Sequence, residues 1–114
     1  TVALLPDQVP PQGQGVWAPF FGRPAYTMTL AARLARQTGA TVLLSWCERL
    51  PQGRGHVVHM TPWNQDWPPH GLDEETWTLQ AATAINRAME GLILRRPSQY
   101  LWGYHRYKQP RATL

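Results

Sequence analysis

The spacing of apolar positions predicts one long helix near the end of the chain. Between positions 73 and 96 an apolar residue recurs every three or four positions, which is the period of an amphipathic helix. The apolar stripe consists of Trp77, Ala81, Ile85, Ala88, Met89 and Leu92. Asp73 is a suitable N-cap, and the two glutamates after it favour the positive end of the helix dipole. Pro97 ends the helix, because proline cannot continue it.

Shorter patterns predict a second helix and a hairpin. Positions 27–37 predict a short helix ended by Gly39, since glycine readily adopts the left-handed conformation found at helix C-termini. The β-branched and apolar run at 41–46 predicts a strand. The turn residues at 51–55 and the alternation at 56–60 then predict the returning strand of a hairpin.

The first 24 positions predict a buried strand and a long loop. Val2–Leu5 is a short apolar run, typical of a strand buried in a sheet. Positions 6–24 are rich in proline and glycine, which favours a loop, and 61–72 predict a second proline-rich loop. The order strand, helix, strand, strand, helix indicates an α/β fold, a mixed sheet with flanking helices. We expect a single domain over residues 1–114.

Charge and aromatic content narrow the classes of partner. Eleven Lys and Arg against seven Asp and Glu give a net charge of +4, and ten of the eleven are arginine. Arginine binds phosphate bidentately. Six tryptophans suit an interface or a membrane surface. These features favour nucleic acid, an anionic lipid surface or a phosphorylated substrate, without choosing among them.

Several classes of site and segment are excluded or disfavoured. A single cysteine, Cys47, excludes an intrachain disulfide, and we expect it to pack as a small hydrophobe. No apolar run reaches the roughly 18 residues of a membrane-spanning helix. His56 and His59 are three apart on a predicted strand and face opposite sides, so we expect no metal site. The chain begins at Thr1 within an apolar run, and we interpret it as a fragment whose upstream part is missing.

The tail after the long helix carries the most specific motif. The tail contains Pro97, then Gln99-Tyr100, then Trp102, each separated from the next by one residue, and a basic aromatic cluster follows. This pattern resembles the C-terminal signature of the lipid A late acyltransferases. Upstream, Leu5-Pro6-Asp7-Gln8 resembles the Pro-Asp-Gln segment of that family. Positions 20–25 and 39–43 resemble the segments that follow it. The resemblance runs in order from residue 2 to residue 108.

This resemblance implies the C-terminal half of an acyltransferase-type α/β domain of the glycerolipid acyltransferase superfamily. It implies a parent enzyme with one N-terminal membrane anchor, at the cytoplasmic face of the bacterial inner membrane. That enzyme would move a fatty acyl chain from acyl carrier protein to a lipid A precursor of lipopolysaccharide, with no cofactor. A histidine held by a carboxylate five positions later is the general base of such chemistry. The family carries this motif upstream, so we expect no catalytic residue in this chain and no activity of the chain alone.

One pair matches the spacing of the catalytic motif. His70 and Glu75 are separated by four residues. The pair lies between the hairpin and the last helix, far from the position of the motif in the family. Glu75 is better explained by the electrostatics of the first helical turn. We therefore reject His70 as a base.

Asp7 is the candidate for active-site support. It ends a predicted strand, where ligands bind in open α/β sheets, although an aspartate after proline also starts turns. The expected substrate-binding residues are Asp7, Gln8, Phe20, Phe21, Arg23, Arg106 and Lys108. The two phenylalanines would line an acyl groove or, equally, anchor a loop to the core. Arg23 would meet a phosphate.

Two other functions are kept as alternatives, a small nucleic-acid-binding module and a peripheral membrane-binding module. Modules that stack bases place aromatic residues on one sheet face, whereas these aromatic residues fall mostly in predicted loops and the tail. The expected partners are therefore acyl carrier protein, a lipid A precursor and the membrane surface, with no nucleic acid. An exposed edge at Val2–Leu5 is expected to let the fragment self-associate.

Overall fold

The computed structural model describes residues 1–112 as two β-hairpins, two α-helices and a tail. The elements are β1 (Gly15–Phe20), β2 (Arg23–Met28), α1 (Leu30–Thr38), β3 (Leu43–Arg49), β4 (His56–Pro62) and α2 (Glu74–Arg95). Short 3-10 turns lie at Pro51–Gly53 and Pro97–Gln99. Within the described residues, β1 pairs with β2 and β3 pairs with β4, both antiparallel. The α/β fold class is confirmed. In place of the expected mixed sheet, the described residues form two separate antiparallel sheets of two strands each.

Helix α2 forms where the apolar period predicted it. The Asp73 carboxylate accepts a hydrogen bond from the Thr76 backbone N–H at 3.1 Å, which caps the helix. The buried face includes Trp77, Ala81, Ile85 and Ala88. Helix α2 is therefore the central element, and it contributes to both hydrophobic clusters found in residues 1–112.

The hairpin β1–β2 corrects the loop predicted at positions 6–24. Phe21 (φ 49°) and Gly22 (φ 77°) form its two-residue turn. Positive φ at both positions is what the type I′ turn of a hairpin requires. Pro19 and Pro24 face each other one step from the turn. That position is a non-hydrogen-bonded pair of an antiparallel ladder, so the missing N–H groups remove no cross-strand bond.

The predicted second helix begins later than expected, because Tyr26 to Met28 belong to β2. Helix α1 starts at Leu30 and ends at Thr38, and it is capped by Gly39, which has φ 66° and donates its N–H to Ala35 O. The α1 residue Ala32 packs in one cluster with Trp77, Ala81 and Ile85 of α2, and Trp63 and Trp67 cover that cluster. The predicted β3–β4 hairpin and its turn are confirmed.

The N-terminal segment differs from its prediction. Residues 1–5 pair with no strand in the part of the chain described, and Val2 and Leu5 are 71% and 64% exposed. The expected buried strand is therefore wrong for this chain, since no neighbouring strand is present to cover it. The radius of gyration is 15.0 Å, against about 13 Å for a compact domain of this length. The difference reflects an elongated shape, with principal extents of 50 × 31 × 27 Å.

Candidate functional site

A groove lies between the N-terminal segment, α1, β3 and α2, and its volume is about 1060 Å³. Its walls are mostly apolar. They include Ala31, Leu34, Leu44, Ile85, Met89 and Leu92. Several large apolar side chains around it are exposed, namely Val2, Leu5, Leu43, Met60 and Leu101. A contiguous apolar surface of this kind marks a binding site or an interface.

Asp7 lies at the rim of this groove, as one of its lining residues. Asp7 lies within a backbone turn, which is closed by the Gln8 N–H donating to Leu5 O at 3.3 Å. The Tyr100 hydroxyl donates to Asp7 Oδ2 at 3.1 Å. Burial raises the pKa of the Tyr100 phenol, and the charge and hydrogen bond of Asp7 raise it further. Tyr100 is therefore a neutral donor at physiological pH.

A buried polar cluster lies behind this carboxylate. Arg106 is 4% exposed, and Thr27 and Asn86 are fully buried. The Arg106 guanidinium donates to Tyr26 O at 2.7 Å, Thr27 Oγ1 at 2.9 Å and Asn86 Oδ1 at 3.3 Å. Asn86 Nδ2 donates to Thr27 Oγ1 at 2.9 Å and to Pro19 O at 3.2 Å. These bonds join the tail, α2 and the β1–β2 hairpin.

In the described part of the chain, the charge of Arg106 is held without an ion pair. No carboxylate lies within ion-pair distance of it in residues 1–112. Burial lowers the pKa of its guanidinium, while Tyr100 and Asp7 act in the opposite direction. Asp7 is thus the acidic group whose field reaches this buried cation. An arginine remains protonated in proteins, so the cluster carries a full positive charge.

The predicted substrate-binding residues do not lie in one place. Asp7 is at the groove rim and Gln8 is exposed beside it. Phe20 is 1% exposed and packs against Ala25 and Ile93, which favours the core-anchoring alternative. Phe21 is partly buried in the hairpin turn, where its N–H donates to Glu90 Oε2 at 3.0 Å.

The three predicted basic contacts also differ in their surroundings. Arg23 is exposed, with its guanidinium 4.3 Å above the ring of Tyr107. Lys108 is exposed, with its amine 5.1 Å from the Tyr104 ring centroid. Arg106 is buried in the cluster described above. Arg23 and Lys108 are therefore open to an anion, whereas Arg106 already uses its two terminal nitrogens within the protein.

His70 and Glu75 are both exposed, and in the described residues no hydrogen bond or ion pair joins them. A different histidine does pair with an acid. His59 Nε2 lies 2.9 Å from Glu48 Oε1, and Arg96 Nε donates to Glu48 Oε2 at 3.0 Å. The hydrogen bond from His59, followed by the charge of Arg96, holds the pKa of Glu48 below its usual range. The His59–Glu48 pair was not predicted from the sequence, because only the register of the β3–β4 hairpin brings these two side chains together.

Cys47 also departs from expectation, because it is exposed and lines the groove. The packed position predicted for it is wrong, since β3 turns the side chain of Cys47 away from its buried face. The described residues contain no cluster of three or more His, Cys, Asp and Glu side chains placed to bind a metal. None of the helices in the described part is both long enough and apolar enough to span a membrane.

Comparison with known proteins gives one consistent family. The chain matches the family described as bacterial lipid A biosynthesis acyltransferase over residues 1–109. It is 33% identical over 108 residues to the lipid A biosynthesis palmitoleoyltransferase of Escherichia coli (strain K12). The identity and length are the same for the lipid A biosynthesis acyltransferase of Shigella flexneri and the lipid A biosynthesis lauroyltransferase of E. coli.

These matches cover 94% of this chain and 33% of each relative, so the chain spans about a third of the length of the curated relatives. The match includes both the Pro6-Asp7-Gln8 segment and the Gln99-Tyr100 motif from which the resemblance was inferred. The chain belongs to the bacterial lipid A biosynthesis acyltransferase family.

Proposed function

We propose that this chain is the C-terminal part of an enzyme that transfers a fatty acyl chain from acyl carrier protein to a lipid A precursor. Family membership supports the reaction class. We further propose that residues 1–114 form one domain portion of that enzyme. The enzyme would act at the cytoplasmic face of the bacterial inner membrane, as the resemblance implies.

The observation that carries this proposal is the position of Asp7. A carboxylate held by Tyr100 stands at the rim of an apolar groove. In acyl transfer a general base removes the proton of the acceptor hydroxyl, and the oxygen attacks the thioester carbonyl. The thiolate of the carrier then leaves and takes up the proton. Asp7 would hold a substrate hydroxyl or a catalytic arginine during this step, and the histidine base would lie outside these residues.

The groove itself is proposed to receive the remaining part of the same polypeptide. The curated relatives are about three times as long as this chain. The walls of the groove are apolar, and its rim carries exposed side chains such as Leu43 and Met60. The backbone of residues 1–5 has no strand partner in the described structure. A strand inserted there would cover the apolar side chains and satisfy the open backbone groups.

The remaining contacts are assigned by exposure. Arg23 and Lys108 are exposed cations, so they are available to phosphate groups of the precursor or to acidic side chains of the carrier protein. Gln8 lies next to Asp7 and would add a polar contact to the substrate. Phe20, which is buried, would act only through the shape of the hairpin.

The test is a transfer assay with the full-length protein. Purified protein in detergent is mixed with a lipid A precursor and either an acyl carrier protein thioester or the corresponding coenzyme A thioester. The expected product gains the mass of one acyl group, and the carrier protein thioester is the faster donor. A protein that acylates no lipid A precursor with either donor would refute the proposal. Faster transfer from coenzyme A would refute the donor assignment alone.

A further inference from the structure

Three tyrosines of the tail bond to distant parts of the chain. Tyr100 Oη donates to the Asp7 carboxylate at 3.1 Å, and Tyr104 Oη accepts the Val9 backbone N–H at 2.7 Å. On the other side of the tail, Tyr107 Oη donates to the backbone carbonyl of Phe20. The tail thus lies between the N-terminal segment and the β1–β2 hairpin, and it is bonded to both.

Arg106 fixes the tail between these two contacts. Its side chain enters the core and bonds to Tyr26 O, Thr27 Oγ1 and Asn86 Oδ1. A buried cation without a paired carboxylate is costly unless its donors are used. Both terminal nitrogens of Arg106 are used in this way, while its buried Nε has no hydrogen-bond partner in the described residues. The three bonds tie the tail at Arg106 to β2 and α2. Tyr100 and Tyr104, which precede Arg106 in the tail, are positioned by these Arg106 bonds.

The contact to Asp7 uses only one of the two carboxylate oxygens. Oδ2 accepts the bond from Tyr100, whereas Oδ1 accepts no hydrogen bond from residues 1–112. A single bond to one oxygen restricts rotation of the carboxylate and leaves the other oxygen available. The available oxygen belongs to a residue that lines the groove.

We propose that the segment Tyr100–Arg106, here called the tail clamp, positions the Asp7 carboxylate, with Tyr100 as the positioning residue. The inference rests on the proposed function, in which Asp7 supports acyl transfer. Tyr100 itself touches no reacting atom. It orients Asp7 so that Oδ1 meets the substrate hydroxyl or the catalytic arginine, and Arg106 keeps Tyr100 in place.

A double-mutant cycle in the full-length enzyme tests this coupling. Tyr100→Phe removes the donor and keeps the ring. We expect kcat to fall about ten- to a hundredfold with little change in KM, because displacing a participating group by about 1 Å costs up to about a hundredfold. In an Asp7→Ala background, Tyr100→Phe is expected to have no further effect, since the group that it positions is absent.

The matched control is Tyr107→Phe. It removes another tail hydroxyl, whose bond goes to the hairpin backbone and not to Asp7. Its melting temperature is expected to fall at least as much as that of Tyr100→Phe, while its turnover stays near the wild-type value. If Tyr100→Phe lowers turnover by the same factor in the wild-type and Asp7→Ala backgrounds, the clamp is overturned. If Asp7→Ala keeps normal turnover, the role proposed for Asp7 fails, and the clamp as stated fails with it.

A second measurement does not depend on activity. Hydrogen exchange of the amides of Leu5, Asp7 and Gln8 is compared in the wild type, Tyr100→Phe and Tyr107→Phe. Pro6 has no amide hydrogen, and the Val9 amide donates to Tyr104 and not to Tyr100. We expect faster exchange in Tyr100→Phe only, because the clamp holds this segment through Tyr100. Unchanged exchange would refute the clamp even in a preparation without acyl transfer. If exchange differs among the three proteins as expected but the wild-type enzyme transfers no acyl chain, the clamp stands and the proposed function is refuted.

Discussion

The buried cluster around Asn86 predicts a large loss of stability when that side chain is truncated. Asn86 is fully buried and takes part in three hydrogen bonds, to Pro19 O, Thr27 Oγ1 and the Arg106 guanidinium. Asn86→Ala removes all three. It also leaves the carbonyl, the hydroxyl and the guanidinium without those partners inside the protein.

The magnitude follows from these partners. A neutral hydrogen bond contributes about 1 kcal/mol net, and a bond to a charged group about 1.5–3 kcal/mol. Neighbouring terms are not additive, and Arg106 keeps its bonds to Tyr26 and Thr27, so we expect a total loss of about 3–4 kcal/mol. For a domain of this length that loss lowers the melting temperature by about 12–16 °C.

The assay is thermal unfolding followed by circular dichroism, with Asn64→Ala as the control. The chain has two asparagines, and Asn64 is exposed, so the control makes the same chemical change at the surface. Substitutions at such positions change stability by less than about 0.5 kcal/mol. If Asn86→Ala melts within a few degrees of Asn64→Ala, the cluster is not the structural anchor described above.

Three further predictions follow from the hairpin, the rejected motif and the N-terminal segment. The pKa of Glu48 is depressed in the folded chain, so the stability that it contributes is present above its ordinary pKa and is lost as pH falls through the lower folded value. Melting temperatures measured from about pH 6 to about pH 3 should therefore fall less steeply in Glu48→Gln, and identical slopes would contradict the ion pair. The 114-residue chain alone is expected to show no acyl transfer; turnover that His70→Ala abolishes would restore His70 as a base. Light scattering over a concentration series should show self-association driven by the exposed run Val2–Leu5, and a monomer at the highest concentration would contradict that expectation.

The sequence predicted the elements whose signals are local. Helix α2 was placed within a residue or two because its cap and its terminating proline are adjacent to the apolar period. The β3–β4 hairpin was found because its turn separates two apolar runs. In both cases the residues that determine the element are close together in the sequence, so composition and spacing carry the signal.

The hairpin β1–β2 was missed because its prolines were interpreted as loop residues. Pro19 and Pro24 lie opposite each other at a position that requires no cross-strand N–H, and this depends on register. A one-residue shift would place them at a hydrogen-bonded position, where they would break the ladder. Proline content alone therefore could not distinguish a loop from this hairpin.

The role of Arg106 was misjudged for a different reason. In the sequence it belongs to a basic aromatic tail, which favours a solvated or substrate-facing side chain. Its partners Tyr26, Thr27 and Asn86 are 20 to 80 positions away, so no local pattern reveals them. Asp7 lines the groove, and its role there stays a prediction. Its bond to Tyr100 spans 93 positions, so only the structure reveals it.

The central claim is that Asp7 serves acyl transfer at the groove rim, and one comparison tests it most directly. Full-length wild type, Asp7→Ala and Asp66→Ala are assayed with an acyl carrier protein thioester and a lipid A precursor, and their melting temperatures are measured. Asp66 is an exposed aspartate in the loop before α2, so it controls for loss of a surface carboxylate. The account predicts that Asp7→Ala loses turnover strongly with little loss of stability, while Asp66→Ala stays near wild type. Near-normal turnover in Asp7→Ala would contradict the account and reduce Asp7 to a turn residue.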